Sequence, residues 1–399
     1  MTLPATDGIL EKLQALLAYD ASSPLIFSSG LFLFLFAGFM LIYNAFRRAP
    51  MARIVYVILF SLYFYYKSSG IYFLLLIFAA TSDFLIAQGI YRVRNRAAKR
   101  WLVVLSVMVN LGMLGYFKYT NFLVDIANQM FGQGFLQFQN IFLPVGISFF
   151  VFQSMSYTID IYRGQLKPLG NWCDYLFYLS FFPQLVAGPI VRARDFIPQI
   201  RRNPVVVTRE MFGTGVFLIL TGLFKKAIIS DYISLNFVDR IFDEPLLYSG
   251  FECLAGIYGY ALQIYCDFSG YSDMAIGIAL LLGFRFPKNF DAPYKSATIT
   301  EFWRRWHISL SSWLRDYLYL SLGGNRKGKL RTYGNLLVTM VLGGLWHGAA
   351  IRFILWGTLH GVALALHKLW MAVVPGAKAS GAQMHWWSRA AGDFFTFNL

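Results

Sequence analysis

The stretch Gly343-Gly344-Leu345-Trp346-His347-Gly348 places an ionisable side chain deep inside an apolar run that extends from Tyr333 to Ala350. A helix that begins near Asn335 rises about 1.5 Å per residue, so His347 would lie roughly 18 Å into a hydrocarbon core about 30 Å thick. An imidazole is costly at that depth and therefore marks a candidate functional site. The small residues beside it let another backbone or a thin substrate approach closely. The alternative is a histidine that only hydrogen-bonds to a neighbouring helix.

The composition of the chain is that of a membrane protein. Of its 399 residues, 57% are hydrophobic and 14% are charged, and the mean hydropathy is +0.52, whereas soluble domains carry about 25% charged residues. The net charge of +15 comes from short basic clusters between apolar segments. That arrangement is typical of cytoplasmic loops and argues against nucleic-acid binding. The three cysteines predict neither a disulfide framework nor a zinc site.

Apolar segments and basic clusters together predict an all-α polytopic membrane protein with about nine to eleven membrane-embedded helices in one integral membrane domain, residues 1–399. Residues 1–24 carry apolar side chains at helical spacing, which predicts an interfacial helix on the non-cytoplasmic side. The polar stretch 118–140 is predicted to lie outside. Residues 394–399 resemble the opening of another apolar helix and predict a chain truncated at its C-terminus.

One apolar segment, Trp172–Ile190, does not fit simple alternation across the membrane. Basic residues flank it on both sides, so a single crossing would put one cluster on the wrong side. Pro183 and the pair Gly188-Pro189 interrupt it. We therefore predict a re-entrant hairpin, which is tolerated at membrane depth only where protein or a water-filled cavity surrounds it. Such a hairpin would form a cavity wall.

A second helix of interest follows Thr298-Ile299-Thr300-Glu301, which is a capping-box pattern. It predicts a helix over 298–322 with Trp303 and His307 on its apolar stripe and Asp316 on its polar stripe. The helix is too amphipathic to span a membrane, so it is predicted to lie at the cytoplasmic interface.

Two histidines, His307 and His347, offer acid–base chemistry. A histidine titrates near neutral pH, so it can take a proton from a hydroxyl and return it to a leaving group. Neither histidine stands in a metal-binding motif, and we find no serine elbow or phosphate loop. The basic loop with Arg326, Lys327 and Lys329 could hold an anionic donor, such as a nucleotide phosphate or an acidic carrier protein. The same loop could equally be only a topology signal.

Five segments now combine in one order along the chain. They are Phe181–Pro189 (FFPQLVAGP), Glu301–Leu310 (EFWRRWHISL), Trp313–Tyr319 (WLRDYLY), Gly323–Gly328 (GGNRKG) and Leu345–Gly348 (LWHG). This set resembles the membrane-bound O-acyltransferase family, in the bacterial branch of alginate O-acetylases and D-alanyl transfer proteins. The resemblance covers the chain from about Leu143 to Leu366.

The resemblance implies a ring of helices around a central funnel, with His347 as the catalytic histidine at its neck and His307 as a second important histidine. It implies no bound cofactor, but a cytoplasmic acyl thioester of coenzyme A or a carrier protein as the donor substrate. The acceptor would be an extracytoplasmic polysaccharide such as alginate, with a separate periplasmic esterase-like acetyltransferase completing the transfer. The location would be the bacterial inner membrane. The residues expected along the substrate tunnel are Trp346, Trp303, Pro183, Gln184, Gly188 and Asp316.

Other functions stay open at the level of sequence. Within the same class, peptidoglycan or teichoic acid could be the acceptor. A polysaccharide or lipid transporter would also use broken helices and buried polar residues, although the sequence has no internal repeat. A scaffold that only recruits the periplasmic enzyme would leave His347 dispensable.

Overall fold

The computed structural model describes residues 6–374 and 385–398. Within these ranges the chain forms α-helices joined by loops and by short 3₁₀ and π turns, with no strand, which confirms the all-α prediction. The α-helices are α1 (Thr6–Leu17), α2 (Gly30–Ala45), α3 (Pro50–Ser69), α4 (Phe73–Arg92), α5 (Arg96–Leu114), α6 (Thr120–Phe131), α7 (Ile147–Tyr162), α8 (Trp172–Ser180), α9 (Phe182–Leu185), α10 (Ala193–Ile200), α11 (Arg209–Leu223), α12 (Asp231–Ile233), α13 (Asp239–Asp243), α14 (Gly250–Leu281), α15 (Ile299–Arg305), α16 (Ile308–Trp313), α17 (Lys329–His347), α18 (Ile351–Val373) and α19 (Trp386–Phe397).

These helices fall into two compact units where the sequence predicted one integral membrane domain. The first unit contains Met1–Leu111 and Pro144–Phe286, and the second contains Gly112–Leu143 and Pro287–Leu399. The predicted N-terminal interfacial helix corresponds to α1, and residues 1–5 of that prediction lie outside the described residues. The ammonium of Lys67 in α3 donates to the carbonyls of Leu16 and Ala18 and so holds the end of α1.

Three helical stretches of the described residues are long and apolar enough to cross a membrane, namely Pro50–Arg92, Arg96–Phe131 and Arg209–Asp243. The first stretch is interrupted at Gly70, which adopts a φ of 59° in a 3₁₀ turn between α3 and α4. The helices α3 and α4 have 20 residues each. Each is therefore about 30 Å long, which matches the thickness of the hydrocarbon core.

The polar segment 118–140, which was predicted to lie outside, is helical in its first part. The helix continues through a π turn at Gly115–Tyr119 and ends only at Phe131. Its polar side chains hold the loop that follows. Asn128 accepts a hydrogen bond from the backbone N–H of Leu136 at 2.7 Å and donates one to the carbonyl of the same residue at 2.9 Å.

Glycines bring α11 and α14 together in the first unit. Gly215 faces Gly277, and Gly222 faces Gly270, so closely that a Cβ at any of them would lie within about 3 Å of the opposite backbone. Because the pairing runs in opposite order along the two helices, α11 and α14 are antiparallel. Close backbone approach through small residues is the usual way in which helices associate in lipid.

The two lysines that follow α11 are paired with acidic side chains. Lys225 contacts Asp273 at 2.7 Å, and Lys226 contacts Asp267 at 2.5 Å and Asp231 at 2.7 Å. Both lysines lie in the π turn Phe224–Ser230 that follows α11. Ion pairing lowers the cost of these charges inside a membrane. The acidic residues of the sequence CDFSGYSD at 266–273 therefore have a structural role in this unit.

Asp83 of α4 is likewise held by hydrogen bonds. It is fully buried, and it accepts from Ser106 and Asn110 of α5 at 2.6 Å each and from Ser154 of α7. A buried carboxylate needs such donors, because an unpaired charge in an apolar interior is very costly. Asp83 thus ties three helices of the first unit together.

The segment Trp172–Ile190 is broken as the sequence predicted. It forms α8 with nine residues and α9 with four, followed by a non-helical turn before α10. Nine residues rise only about 14 Å, too short to span a bilayer. Gln184 is fully buried and donates to the carbonyl of Tyr178, so this carbonyl near the end of α8 is satisfied within the protein.

In the second unit, α17 and α18 form a tightly packed pair. A Cβ at Gly344 would lie 3.1 Å from the Cα of Gly357, and a Cβ at Gly357 would lie 3.0 Å from the carbonyl carbon of Met340. The close backbone approach that the sequence predicted around His347 is thus confirmed, and its partner is α18. This contact fixes the last two turns of α17, which end at His347.

Candidate active site

His307 lies at a break in the predicted helix 298–322, and the prediction of one continuous helix there was wrong. Thr298 caps the first piece, α15, by accepting from the N–H of Glu301 at 3.1 Å, as its pattern predicted. The chain then turns at His307, whose φ of 43° lies in the left-handed region, before α16 begins. Such a conformation is strained for a residue with a side chain and is held by surrounding structure, often at functional sites.

The loop before α15 holds this strained turn. Asn289 accepts a backbone hydrogen bond from Ile308 at 2.9 Å, and Asp291 donates one to Arg305 at 2.9 Å. The side-chain oxygen of Asn289 accepts from the N–H of Ser309 at 3.2 Å and from its hydroxyl at 2.8 Å. These long-range bonds override the local tendency of 298–322 to form one helix.

Asn289 also defines the tautomer of His307. The Nδ1 of His307 lies 3.3 Å from the Asn289 oxygen, which is identified as oxygen because a backbone N–H donates to it. An amide oxygen only accepts, so Nδ1 must carry the proton and Nε2 the lone pair. Burial lowers the pKa of His307 well below its ordinary value, so the ring is neutral at pH 7.

His347 ends α17 beside His307. The centroids of the two rings are 6.5 Å apart, and Trp346 contacts both, at 5.9 Å from His307 and 5.1 Å from His347. The imidazole of His347 is partly exposed and has no hydrogen-bond partner within 6–374 or 385–398. It is oriented by aromatic edges, with Trp356 of α18 at 5.1 Å. Its ring nitrogens are therefore available to a substrate.

A third histidine, His360, extends this cluster along α18. Its ring lies 4.7 Å from Trp356 and 5.3 Å from Trp303 of α15. His360 is 8% exposed. Trp356 and His360 are four residues apart on one helix face, a spacing that could have identified the pair from sequence.

A cavity of about 400 Å³ lies on the other side of Trp303. Arg304, Arg315 and Lys368 line it, together with the hydroxyl groups of Ser311 and Ser312. Arg315 is paired with Asp316 at 2.7 Å. Arg304 and Lys368 have no hydrogen bond or ion pair within the part of the chain that the structure describes. The cavity is thus a positively charged chamber in the same unit as His347, suited to an anionic ligand.

The other predicted site residues are distributed as follows. Trp346 and Trp303 belong to the aromatic cluster around His347, and Asp316 binds Arg315 at the rim of the cavity. Pro183, Gln184 and Gly188 lie in the first unit, where they pack against one another. Exposed positions are occupied by the basic loop residues Arg326, Lys327 and Lys329.

Comparisons with known proteins identify the family of this chain. The family model described as MBOAT, membrane-bound O-acyltransferase family, matches residues 170–391. A protein named probable alginate O-acetylase AlgI from Pseudomonas aeruginosa is 45% identical over 351 residues, which cover 86% of this chain and 66% of that protein. The peptidoglycan O-acetyltransferase of Helicobacter pylori is 37% identical over 373 residues, covering 86% of this chain and 70% of that protein.

A more distant relative is the teichoic acid D-alanyltransferase of Bacillus subtilis, 30% identical over 245 residues that cover 57% of this chain and 60% of that protein. The chain belongs to the membrane-bound O-acyltransferase family, which confirms the resemblance found in the sequence. The matched region spans about two thirds of the length of the curated alginate O-acetylases.

Proposed function

We propose that this chain is an O-acyltransferase of the bacterial inner membrane that moves an acetyl group from a cytoplasmic thioester towards a hydroxyl of an extracytoplasmic polysaccharide such as alginate. The observation that carries the proposal is the pair of His307 and His347 in one aromatic cluster, 6.5 Å apart between centroids. The names of the relatives support the reaction class, and the 45% identity to an alginate O-acetylase supports the acceptor.

His347 acts as the general base in this proposal. Its ring nitrogen takes the proton of the acceptor hydroxyl as the hydroxyl oxygen attacks the thioester carbonyl carbon. The C–S bond then breaks, and the proton passes from His347 to the departing sulfur. The products are an ester and a free thiol. Trp346 and Trp356 keep the ring in one orientation.

His307 assists in the same step. Its Nδ1 proton is held by Asn289, so its Nε2 carries a lone pair and orders a donor group of the substrate or a water molecule near the thioester. The strained backbone at His307 fixes the ring relative to His347. Trp303 and Trp346 line the substrate path, and Pro183, Gln184, Gly188 and Asp316 remain predictions for its further course.

Replacement of Asn289 by leucine, which has similar size but no acceptor oxygen, is expected to lower the rate of acyl transfer by about 10- to 100-fold through misplacement of His307. Initial rates in membranes with matched amounts of protein measure this effect. Gln263→Leu is the control, because it removes an amide of the first unit that bonds Ser234. Equal rates for Asn289→Leu and the control would show that Asn289 does not position His307.

The charged cavity is the proposed site for the phosphate groups of the thioester donor. Arg304 and Lys368 supply charges that no described residue neutralises, and Trp303 separates them from the cluster around His347. A linear phosphopantetheine arm suits this geometry, because its phosphates would bind the cations while its thioester extends towards the histidines. The basic loop of Arg326, Lys327 and Lys329 remains the alternative donor site that the sequence suggested.

The double variant Arg304→Gln/Lys368→Gln is expected to raise the KM for the donor about tenfold and leave kcat within about twofold, because charge-assisted contacts to phosphate are lost. Steady-state rates at varied acetyl-CoA, or at varied acetylated carrier protein, measure both constants. The matched control is Arg326→Gln/Lys327→Gln, which removes the same charge from the exposed loop. A larger KM effect in the control would move the donor site to the loop.

An experiment on cells distinguishes the possible acceptors. O-acetyl content is measured in secreted polysaccharide and in purified cell wall from strains with wild type or His347→Ala at equal membrane levels. Loss from the secreted polysaccharide alone supports an exopolysaccharide acetylase, and loss from the wall alone redirects the acceptor to peptidoglycan or teichoic acid. No loss in either fraction would reject the proposal in favour of a transporter or scaffold. The acetyl group reaches the polysaccharide either directly or through a partner protein, for which we propose a periplasmic esterase-like acetyltransferase.

A further inference from the structure

A π turn joins α5 to α6, and the local sequence does not explain what it does. At Gly115–Tyr119 the hydrogen-bonding pattern widens between α5 and α6. Such a turn inserts one residue into a helix and is frequently found at functional sites, because it redirects the side chains that it carries. Here it carries Lys118 and Tyr119, which the sequence analysis placed at the start of the polar stretch 118–140.

Both side chains bond to the end of α17. The ammonium of Lys118 donates to the carbonyl of Trp346, and the hydroxyl of Tyr119 donates to the carbonyl of Leu345 at 2.8 Å. The last four carbonyls of an α-helix have no partner inside the helix. The carbonyl of Gly344 receives the N–H of Gly348 at 3.4 Å. Lys118 and Tyr119 therefore donate to the next two carbonyls, those of Trp346 and Leu345, which directly precede His347.

The charge of Lys118 is also used locally. Its Nζ lies 5.5 Å from the centroid of the Trp346 ring, within the range of a cation–π contact. A positive charge at a helix C-terminus is favourable, because it opposes the negative end of the helix dipole. A lysine that only marked membrane topology would extend its ammonium to water. Lys118 instead directs it to the backbone of the turn that bears the catalytic candidate.

We infer that Lys118 and Tyr119 are positioning residues for His347. They clamp the final turn of α17 by its carbonyls, so that the imidazole, which has no hydrogen-bond partner among the described residues, keeps one orientation. The inference rests on the proposed function only where it predicts a lower kcat for acyl transfer. The contacts of the clamp and the reactivity of the His347 ring are independent of which acyl group is transferred.

The kinetic test uses the full chain in membranes and compares Lys118→Met, Lys118→Arg and Tyr119→Phe. Lys118→Met keeps the length of the side chain and removes the donor, and it is expected to lower kcat at least about tenfold with the donor KM within about twofold, since only orientation is lost. Lys118→Arg retains a donor and is expected to recover most of kcat. If Lys118→Met fails to reach the membrane, Lys118→Gln takes its place beside Lys118→Arg.

The control is Lys67→Met. This variant removes a lysine of the same kind, which also bonds carbonyls at a helix end, in the first unit at α1. It is expected to leave kcat unchanged. A kcat for Lys118→Met within about twofold of wild type, or a loss equal to that of Lys67→Met, would overturn the inference.

A second readout does not depend on acyl transfer. The rate at which diethyl pyrocarbonate modifies His347 is measured by mass spectrometry of the peptide that contains it. Lys118→Met is expected to change this rate several-fold, and Lys118→Arg and Lys67→Met are expected to match wild type. An unchanged modification rate in Lys118→Met overturns the positioning role even if kcat falls. If the wild-type chain transfers no acyl group, the proposed function is wrong. The modification rate of His347 still tests whether Lys118 positions that residue.

Discussion

Replacement of His347 by alanine is expected to lower acyl transfer at least about 100-fold, because a positioned general base contributes about 10²- to 10⁴-fold to such reactions. The partly exposed ring has no hydrogen-bond partner in the described residues, so its removal breaks no polar contact that the fold depends on. The loss should therefore appear in kcat, with little change in membrane insertion. Initial rates with a radiolabelled acetyl thioester, normalised to the amount of protein in the membrane, measure it.

Two further variants give this prediction its controls. His347→Gln retains a polar group of similar reach but cannot accept and return a proton near neutral pH, so it is expected to be as impaired as His347→Ala. His385→Ala removes an exposed histidine of the same unit and is expected to retain wild-type activity. Activity of His347→Ala close to that of His385→Ala would exclude His347 as the base.

A single methyl group at Gly357 is expected to destabilise the second unit by about 1–3 kcal/mol, because overpacking a close helix contact forces backbone shifts. The added Cβ would meet the carbonyl group of Met340 and lie 3.1 Å from the Cα of Val341, and backbone atoms cannot turn aside. Gly357→Val, with two more carbons, is expected to prevent the pairing of α17 and α18. The thermal midpoint and the fraction of monodisperse protein in detergent measure both effects.

Gly334→Ala is a control that is expected not to lower the thermal midpoint. Gly334 is an exposed glycine of α17 with no atom within 4 Å of the position of an added Cβ. Alanine is favoured over glycine in a helix by about 1 kcal/mol, so this variant should keep or raise the thermal midpoint. If Gly357→Ala left the thermal midpoint unchanged, the backbones of α17 and α18 would have to lie farther apart than in the structure.

Local sequence patterns predicted the features that depend on local backbone chemistry. Pro183 and the Gly188-Pro189 pair predicted the break in Trp172–Ile190, because proline lacks the backbone N–H that a continuous helix needs in its interior. The hydroxyl of Thr298 predicted the start of α15, because it caps an N–H only three residues away. The glycines beside His347 predicted a close backbone contact, since the absence of a Cβ is a property of the residue itself.

Features that depend on distant partners were not predictable in this way. His307 was placed on a continuous helix, whereas Asn289, 18 positions earlier, holds it in a left-handed turn. The cations Arg304 and Lys368 are ordinary helix residues in sequence, and only the packing of α15 and α18 brings them to one cavity. The paired roles of Asp267 and Asp273 likewise required the lysines of the adjacent π turn.

The sequence by itself determined an all-α membrane protein of the O-acyltransferase family and singled out His347 among small residues of an apolar run, because hydropathy, helix breakers and motif order are recorded residue by residue. Only the tertiary structure decided what surrounds that histidine. Lys118 bonds the turn before it across 228 positions of sequence. A local pattern contains no information about such a contact, since it is created when separate helices bury their faces against one another and must satisfy each other's polar groups.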